Sequence, residues 1–443
     1  MTSDRDLFVA YGALMGGALL PIYHGAYASL RTPRSTIEKL KARKKLSDAD
    51  LSDYEEELDE SGLPETLTSE DAYWLPVLGS AVLFGMFLVF KYLDKVWVDR
   101  VLGFYFACVG SFAVTKAFLA VVTGVLGRER IKNMDLTKLQ LSRRVRKGGI
   151  KGKESKPQDL LIVRLTNIHP PVVVLSSIVV GAYLWNKHWI LSNVLALSLS
   201  LSSISLLALD SFKTGSIMLA GLFVYDVFWV FGTNVMVSVA RGFDGPIKIV
   251  WPKNLVEGLF DGATDWKMTM LGLGDIVIPG IFIALALRYD QHRYAKVNEK
   301  LLITKHDVDF PKPYFKATLV AYVAGLATTM LVMHFTKAAQ PALLYLSPAC
   351  VGAIVITSLR LGQWSETWAY DSNEEDAKAD EEAKRAKGEA AGEDEADDDD
   401  DDDDDNDEAA WEGVKDDGSN ATQHPRSTRS STRKRKTSTK TDK

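Results

Sequence analysis

The chain has 443 residues, a formal net charge of −6 and 47% hydrophobic residues, with a mean hydropathy of −0.03. Length and average hydropathy alone would favour two or three soluble domains, but the average combines long apolar runs with a very polar carboxyl-terminal segment. Windows of about 20 residues separate the two and exclude a soluble globular protein. The only cysteines, Cys108 and Cys350, lie in apolar runs, which excludes an extracellular disulfide framework and favours buried thiols.

Nine apolar stretches are long enough to cross a membrane, so the sequence predicts an all-α polytopic membrane protein. They lie near residues 7–30, 74–92, 101–126, 169–186, 189–209, 214–240, 268–287, 315–335 and 341–359. The first stretch has no basic region before it and no small-residue cleavage site after it, so we expect a retained helix. The third contains Lys116, which either snorkels, faces the protein interior or marks a helix break.

The distribution of basic residues in the loops predicts the orientation of these helices. Lysine and arginine are concentrated near residues 31–73, 127–168 and 288–314, whereas the alternate connections carry far fewer. We therefore expect the basic loops in the cytosol, the amino terminus in the lumen and the carboxyl terminus in the cytosol.

The polar segment that follows the ninth stretch is acidic at first and basic towards its end. Such a composition cannot bury enough apolar surface to fold. We therefore expect two regions, a nine-helix membrane domain over residues 1–370 and a disordered cytosolic tail over residues 371–443. A plain solvated tail and a site for a partner or for anionic lipid at its basic end both stay open.

Only two carboxylates lie deep inside the predicted helices, Asp226 in "GLFVYDVFWVFG" and Asp275 in "MLGLGDIVIPG". Asp226 follows the boundary residue Lys213 by 13 positions, and Asp275 precedes Arg288 by the same number. At 1.5 Å per residue both carboxylates lie about 20 Å from the cytosolic boundary. The two helices are antiparallel neighbours, so the spacing places the carboxylates level with each other.

Two carboxyl groups that face each other in a low-dielectric site share a proton near neutral pH. This is the arrangement of an aspartic protease, in which one group activates water and the other protonates the scissile carbonyl. Other readings stay open at this stage. Each aspartate could satisfy a polar partner, the pair could relay protons or cations in a transporter or channel, or the protein could bind membrane helices without cutting them.

Three motifs resemble those of the GxGD intramembrane aspartic proteases, specifically the signal peptide peptidase family within the presenilin-like superfamily. They are "YD" on the sixth stretch, "GLGD" on the seventh and "QPALLYL" at the ninth, and the resemblance covers about residues 160–360. It implies that Asp226 and Asp275 are the catalytic pair. The supporting residues it implies are Tyr225, Gly272, Leu273, Gly274, Gln340, Pro341, Ala342 and Leu343.

The individual motif residues also have plainer interpretations. Gly272 and Gly274 would let backbone or substrate approach Asp275, but tight helix packing also uses small residues. Pro341 is placed to start a helix. Neither the G-x-S nucleophile motif nor H-E-x-x-H occurs, so we expect no metal, and the resemblance implies no cofactor.

The resemblance also implies substrates, partners and location. The substrates would be transmembrane peptides, namely remnant signal peptides and type II-oriented segments, in the endoplasmic reticulum membrane. The expected partners are the lipid bilayer, further copies in a homo-oligomer and the endoplasmic reticulum degradation machinery, with no nucleic acid. In presenilins the connection between the two aspartate helices is long and cytosolic, whereas residues 241–267 form a short connection expected in the lumen, which favours signal peptide peptidase.

The stretch "PIKIVW" at residues 246–251 is rich in β-branched residues. We hypothesise that it is extended and adds a strand to an unwound substrate. An ordinary amphipathic loop is the alternative.

Overall fold

The computed structural model describes residues 4–32, 65–126, 136–143, 158–233, 235–236, 239, 245–253, 268–298, 307–337 and 340–374. All of them belong to one compact unit, Met1–Ala386. The second unit, Lys387–Lys443, lies outside the described residues, as do residues 33–64, 127–135, 144–157 and 299–306 of the three predicted basic loops.

Nine long helices occur in the described ranges, at the nine predicted places, and a short tenth helix follows them. They are α1 (Asp4–Ala28), α2 (Ser69–Tyr92), α3 (Lys95–Leu126), α4 (His169–Asn186), α5 (Trp189–Leu206), α6 (Phe212–Phe231), α7 (Gly274–Val297), α8 (Pro313–Thr336), α9 (Leu343–Arg360) and α10 (Trp364–Ala369). Seven of the nine are long and apolar enough to span a membrane; α4 and α7 do not reach that threshold. The helices therefore make a polytopic membrane protein.

Several predicted boundaries are wrong, and the largest error concerns the seventh stretch. Residues 268–272 form a strand, and α7 begins only at Gly274. The second half of α7 carries charged residues such as Arg288 and Asp290, which explains why this helix is less apolar than a membrane-spanning helix. The loops expected at 31–73 and 288–314 are also shorter, because α2 begins at Ser69 and α7 continues to Val297.

Helix α7 lies in the middle of the bundle, in contact with α1, α5, α6, α8 and α9. The side chains buried along it are those of residues 276, 279–287 and 289–291. Since every side of this helix faces protein, its sequence need not be uniformly apolar in the way a lipid-facing helix must be. The hydrophobic core of the described region is built around it.

Small residues let the helices around α7 approach closely. A Cβ on Gly280 would lie 2.6 Å from the Ile204 side chain of α5, and one on Gly25 of α1 would lie 2.9 Å from the same side chain. Gly325 of α8 likewise faces Leu346 of α9 at 3.2 Å. These are the backbone approaches that glycine permits in membrane bundles.

Helix α2 packs along α6 in a seam of small and polar contacts. Ser69 and Thr214 share a hydroxyl hydrogen bond of 2.9 Å at one end, and a Cβ on Gly221 would lie 2.7 Å from Pro76. Further along, the Trp229 indole donates to the Ser80 hydroxyl at 3.0 Å. These contacts fix α2 against α6 along much of the length of both helices.

The strands form three two-stranded sheets. Strand β1 (Glu65–Leu67) pairs in parallel with β4 (Leu207–Leu209), β2 (Leu136–Arg143) pairs antiparallel with β3 (Gln158–Thr166), and β5 (Lys248–Pro252) pairs antiparallel with β6 (Met268–Gly272). The β2–β3 pair falls inside a predicted loop and was not foreseen. The prediction that residues 246–251 are extended is confirmed over Lys248–Trp251.

One edge of the β5–β6 ribbon is closed within the protein. The Asn193 side chain of α5 donates to the Val250 carbonyl at 2.7 Å and accepts from the Val250 amide at 2.9 Å. Both backbone groups of Val250 therefore point away from β6, and Pro252, two residues on, has no N–H on that side. Backbone groups alternate in direction along a strand, so the N–H and C=O groups of Met268, Met270 and Gly272, which lie opposite Pro252, Val250 and Lys248, point away from β5 on the other edge of the ribbon.

The chain after α9 folds back onto the helix ends. The Ser372 amide donates to the Asp210 carbonyl at 2.9 Å, and Asp371 forms a bridge with Ser211. The described fold therefore continues to residue 374, slightly beyond the expected start of the tail; the rest of the tail lies outside the described residues.

The structure also locates Lys116 and the two cysteines. Lys116 is half-buried with its ammonium 5.0 Å from the centre of the Phe112 ring, so it lies within the helix and does not break it. Cys350 is a buried free thiol as expected, but the prediction for Cys108 is wrong, because Cys108 of α3 is exposed.

Candidate active site

The structure brings Asp226 and Asp275 together. Asp226 lies in the last third of α6 and is 4% exposed, whereas Asp275 is the second residue of α7 and is partly exposed. The two side chains lie within electrostatic range of each other, where α6 contacts α7. The level placement expected from spacing is therefore realised, although Asp275 lies at the start of its helix and not inside it.

The Asp226 carboxylate caps the first turn of α9. The Leu343 amide, the first of this helix, donates to Asp226 Oδ2 at 3.1 Å. Unpaired amides at a helix start attract negative charge, so the beginning of α9 holds the Asp226 carboxylate in a fixed orientation. Pro341 and Ala342 are buried directly before this turn. Pro341 lies two residues before α9, and its carbonyl accepts the Leu344 amide at 3.3 Å, so it stands at the start of the first turn of this helix.

The Gly272–Leu273–Gly274 segment is the turn between β6 and α7. A Cβ on Gly272 would lie 3.4 Å from Asp275 Oδ2, so a methyl group there would be in contact with the carboxylate and would occupy the space beside it. The Leu273 amide donates to the Ile247 carbonyl at 2.9 Å, and its own carbonyl accepts the first amides of α7. The helix-packing interpretation is wrong for both glycines, because Gly272 lies in a strand and Gly274 is exposed with nothing near its Cβ position.

The other two predicted residues lie at the margin of the site. The Tyr225 ring packs over Gly79 of α2, whose Cβ position lies 3.6 Å from it, and the phenol is in electrostatic range of Asp226. Gln340 donates from Nε2 to the Thr336 hydroxyl at 3.2 Å, at the end of α8. Tyr225 therefore belongs to the α2 side of the site, whereas Gln340 contacts the helix before the motif.

Sequence reasoning missed Tyr322, a fully buried residue of α8. Its hydroxyl donates to the main-chain carbonyl of Asp275 at 3.3 Å, and the phenol is in electrostatic range of the Asp275 carboxylate. No motif marks this tyrosine, because its partner is a backbone atom 47 positions earlier in the chain. In the described ranges, no group of three or more His, Cys, Asp or Glu side chains is arranged to hold a metal ion.

The chain is similar to known intramembrane proteases. A family profile described as signal peptide peptidase matches residues 59–374. The chain is 37% identical over 390 residues to the signal peptide peptidase of Mus musculus, covering 88% of this chain and 90% of that protein. The values for the Homo sapiens protein of the same name are 36% over 384 residues, 86% and 89%. Intramembrane protease 2 of Caenorhabditis elegans is 43% identical over 219 residues, 48% of this chain and 46% of that protein.

Proposed function

Because the chain belongs to the signal peptide peptidase family and is thus an intramembrane peptide hydrolase, we propose that Asp226 and Asp275 are its catalytic pair. The observation that carries this proposal is the meeting of the two carboxylates from α6 and α7 in electrostatic range of each other. Family membership also sets aside the transporter and helix-binding alternatives.

The chemistry follows from the sharing of one proton between two coupled carboxyl groups. The ionised member takes a proton from a water molecule as the water oxygen attacks the scissile carbonyl carbon. The protonated member gives its proton to the carbonyl oxygen, so a neutral tetrahedral intermediate forms. Collapse breaks the C–N bond, with one carboxyl group delivering a proton to the leaving amine and the other recovering one.

The exposed side of the pair is the first turn of α7. Asp275 is partly exposed and Gly274 is open to the surface, whereas Asp226 is held from behind by α9. Water and substrate would therefore approach over the Gly272–Gly274 turn. The absence of a Cβ at these two positions leaves room for a peptide backbone beside the Asp275 carboxylate.

A substrate helix must unwind before its carbonyls can be attacked, and its backbone groups then need new partners. The edge of β6 that faces away from β5 has no strand partner among the described residues. It can supply these partners by strand addition, since β6 ends three residues before Asp275. The sequence suggested residues 246–251 as the strand that pairs with the substrate. We assign this pairing to Met268, Met270 and Gly272 of β6, because Asn193 occupies the backbone groups of Val250 on the outer edge of β5.

The substrates we propose are remnant signal peptides and type II-oriented membrane segments in the endoplasmic reticulum. The amino terminus would lie in the lumen and the basic loops and charged tail in the cytosol, as the charge bias indicates. Association with further copies and with the endoplasmic reticulum degradation machinery belongs to the same proposal.

A cleavage assay with the purified full chain tests the catalytic pair. We expect Asp226→Asn and Asp275→Asn each to abolish release of product from a labelled signal-peptide helix in detergent, with the thermal unfolding profile retained. Asp290→Asn is the matched control, because it changes a buried carboxylate of α7 that caps α8 and lies away from the pair. Cleavage by either variant of the pair would refute the assignment.

A second comparison tests the β6 edge. Met270→Pro removes one outward N–H without touching the bonds between β5 and β6, and Met270→Ala removes the same side chain but keeps the amide. We expect Met270→Pro to cleave markedly more slowly than Met270→Ala. Equal rates would exclude strand addition at this edge. Ile249→Pro is unsuitable, because that amide faces β6 and the side chain is buried.

A further inference from the structure

The first turns of α7 contain an interruption in their hydrogen-bond ladder. Pro279 lies inside α7, four residues after Asp275. In a regular helix the amide of residue 279 would donate to the carbonyl of residue 275, but proline has no N–H and its ring crowds that same carbonyl. The main chain of Asp275 therefore lacks the donor that the helix itself would supply.

A side chain from α8 takes the place of this donor. The Tyr322 hydroxyl lies 3.3 Å from the Asp275 carbonyl oxygen. The tyrosine is fully buried, and α8 is fixed against α9 at Gly325, three residues further along, where a Cβ would lie 3.2 Å from Leu346. The hydroxyl thus comes from a buried side chain of a helix packed against its neighbour, towards a carbonyl that has no amide donor from its own helix.

We infer that Tyr322 is a positioning residue for catalysis, which holds the proline-interrupted first turn of α7 so that the Asp275 carboxylate faces Asp226. This inference rests on the proposed function of the two aspartates. The side chain of Asp275 projects from the backbone that Tyr322 holds, and a small rotation of that turn would move the carboxylate relative to its partner. Precise placement of this kind governs the chemical step more than substrate binding.

The structure gives the inference a specific signature, because Pro279 is the reason that Tyr322 is needed. Replacing Pro279 with alanine restores an amide that can donate to the Asp275 carbonyl within α7. The hydroxyl of Tyr322 should then matter much less. A general structural role of Tyr322 in the bundle would not depend on residue 279 in this way.

The experiment is a double-mutant cycle with the purified full chain and a labelled signal-peptide helix. We expect Tyr322→Phe to lower kcat about three- to tenfold with KM nearly unchanged. In the Pro279→Ala background the same change should lower kcat less than about twofold. Tyr314→Phe is the matched control: it removes another buried tyrosine hydroxyl of α8, one that hydrogen-bonds to Thr367 at 3.1 Å, and it should leave kcat unchanged.

The inference would be overturned if Tyr322→Phe lowered kcat equally in the wild-type and Pro279→Ala backgrounds, or if it did not lower kcat in the wild-type background. If Tyr322→Phe fails to fold, recovery of folded, active protein in the Pro279→Ala double variant supports it, and continued failure to fold overturns it. Asp275→Asn in the same assay distinguishes failure of the proposed function from failure of the positioning role of Tyr322. Residual cleavage by that variant defeats the proposed function. If Asp275→Asn is inactive but Tyr322→Phe lowers kcat equally with proline or alanine at residue 279, only the positioning role is defeated.

Discussion

Replacing Gly215 with alanine probes how closely α6 and α7 must approach for the two aspartates to meet. A Cβ at Gly215 would lie 2.6 Å from Cδ2 of Phe282 and 3.1 Å from Leu209. Phe282 is fully buried and packs edge-on against Phe212, so its ring has nowhere to move. The helices must separate by about 0.8 Å at this point to reach the 3.4 Å of ordinary contact.

Such overpacking costs about 1–3 kcal/mol, against a helix-propensity gain of up to about 1 kcal/mol for the change from glycine to alanine. Gly85→Ala in α2 isolates that gain, because nothing lies within 4 Å of its Cβ position. We expect Gly215→Ala to unfold in detergent at a lower temperature than Gly85→Ala, by about 2–4 °C for each kcal/mol. Cleavage should fall as well, since the methyl group separates the two helices that carry the aspartates.

A second substitution tests the cause of this loss. Phe282→Leu shortens the side chain that the new methyl group meets, so the combined cost of Gly215→Ala and Phe282→Leu should be smaller than the sum of the separate costs. Stability and cleavage of Gly215→Ala equal to those of Gly85→Ala would refute the reasoning, as would strictly additive costs in the double variant.

Three further outcomes follow from individual contacts. Asp290→Ala should destabilise the protein by about 1–3 kcal/mol, because Asp290 Oδ2 accepts the Phe315 amide at the start of α8; Asp290→Asn keeps an oxygen there and should cost less in thermal unfolding. Trp229→Phe and Ser80→Ala should each cost about 0.5–1.5 kcal/mol and be non-additive, since both break the bond between α2 and α6; additive losses would contradict that bond. Asn193→Leu should speed amide hydrogen exchange in the β5–β6 ribbon, and unchanged protection would show that Asn193 does not hold it.

Much of the fold follows from local patterns in the sequence. Each apolar run is as long as a membrane-spanning helix and contains its own backbone hydrogen bonds, so the nine long helices could be placed without knowledge of their neighbours. The same regularity allowed the depth of Asp226 and Asp275 to be compared by counting residues. The resemblance to the family then named the residues around them, and the structure brings most of these together at the α6–α7–α9 junction.

The errors occur where a residue's partner is distant in the chain. Residues 268–272 are mostly apolar and compatible with a helix. They form a strand because they pair with β5, which lies 16 residues or more earlier in the chain, and local periodicity cannot reveal such a partner. The pairing also places Gly272 in a strand, whereas a helix at these residues would have placed it in a helix-packing surface. Asn193 reads as an ordinary polar residue near a helix start until the structure shows both of its bonds to Val250.

By itself, the sequence determined the composition of the helices, the approximate level of the two carboxylates and the family to which the chain belongs, because these depend on residue types and on spacings that can be counted within each segment. Only the tertiary structure decided which distant atoms form hydrogen bonds with the two aspartates. The Leu343 amide behind Asp226 and the Tyr322 hydroxyl behind Asp275 come from helices far along the chain, and a hydrogen bond between distant segments forms only when the whole bundle brings donor and acceptor within about 3 Å.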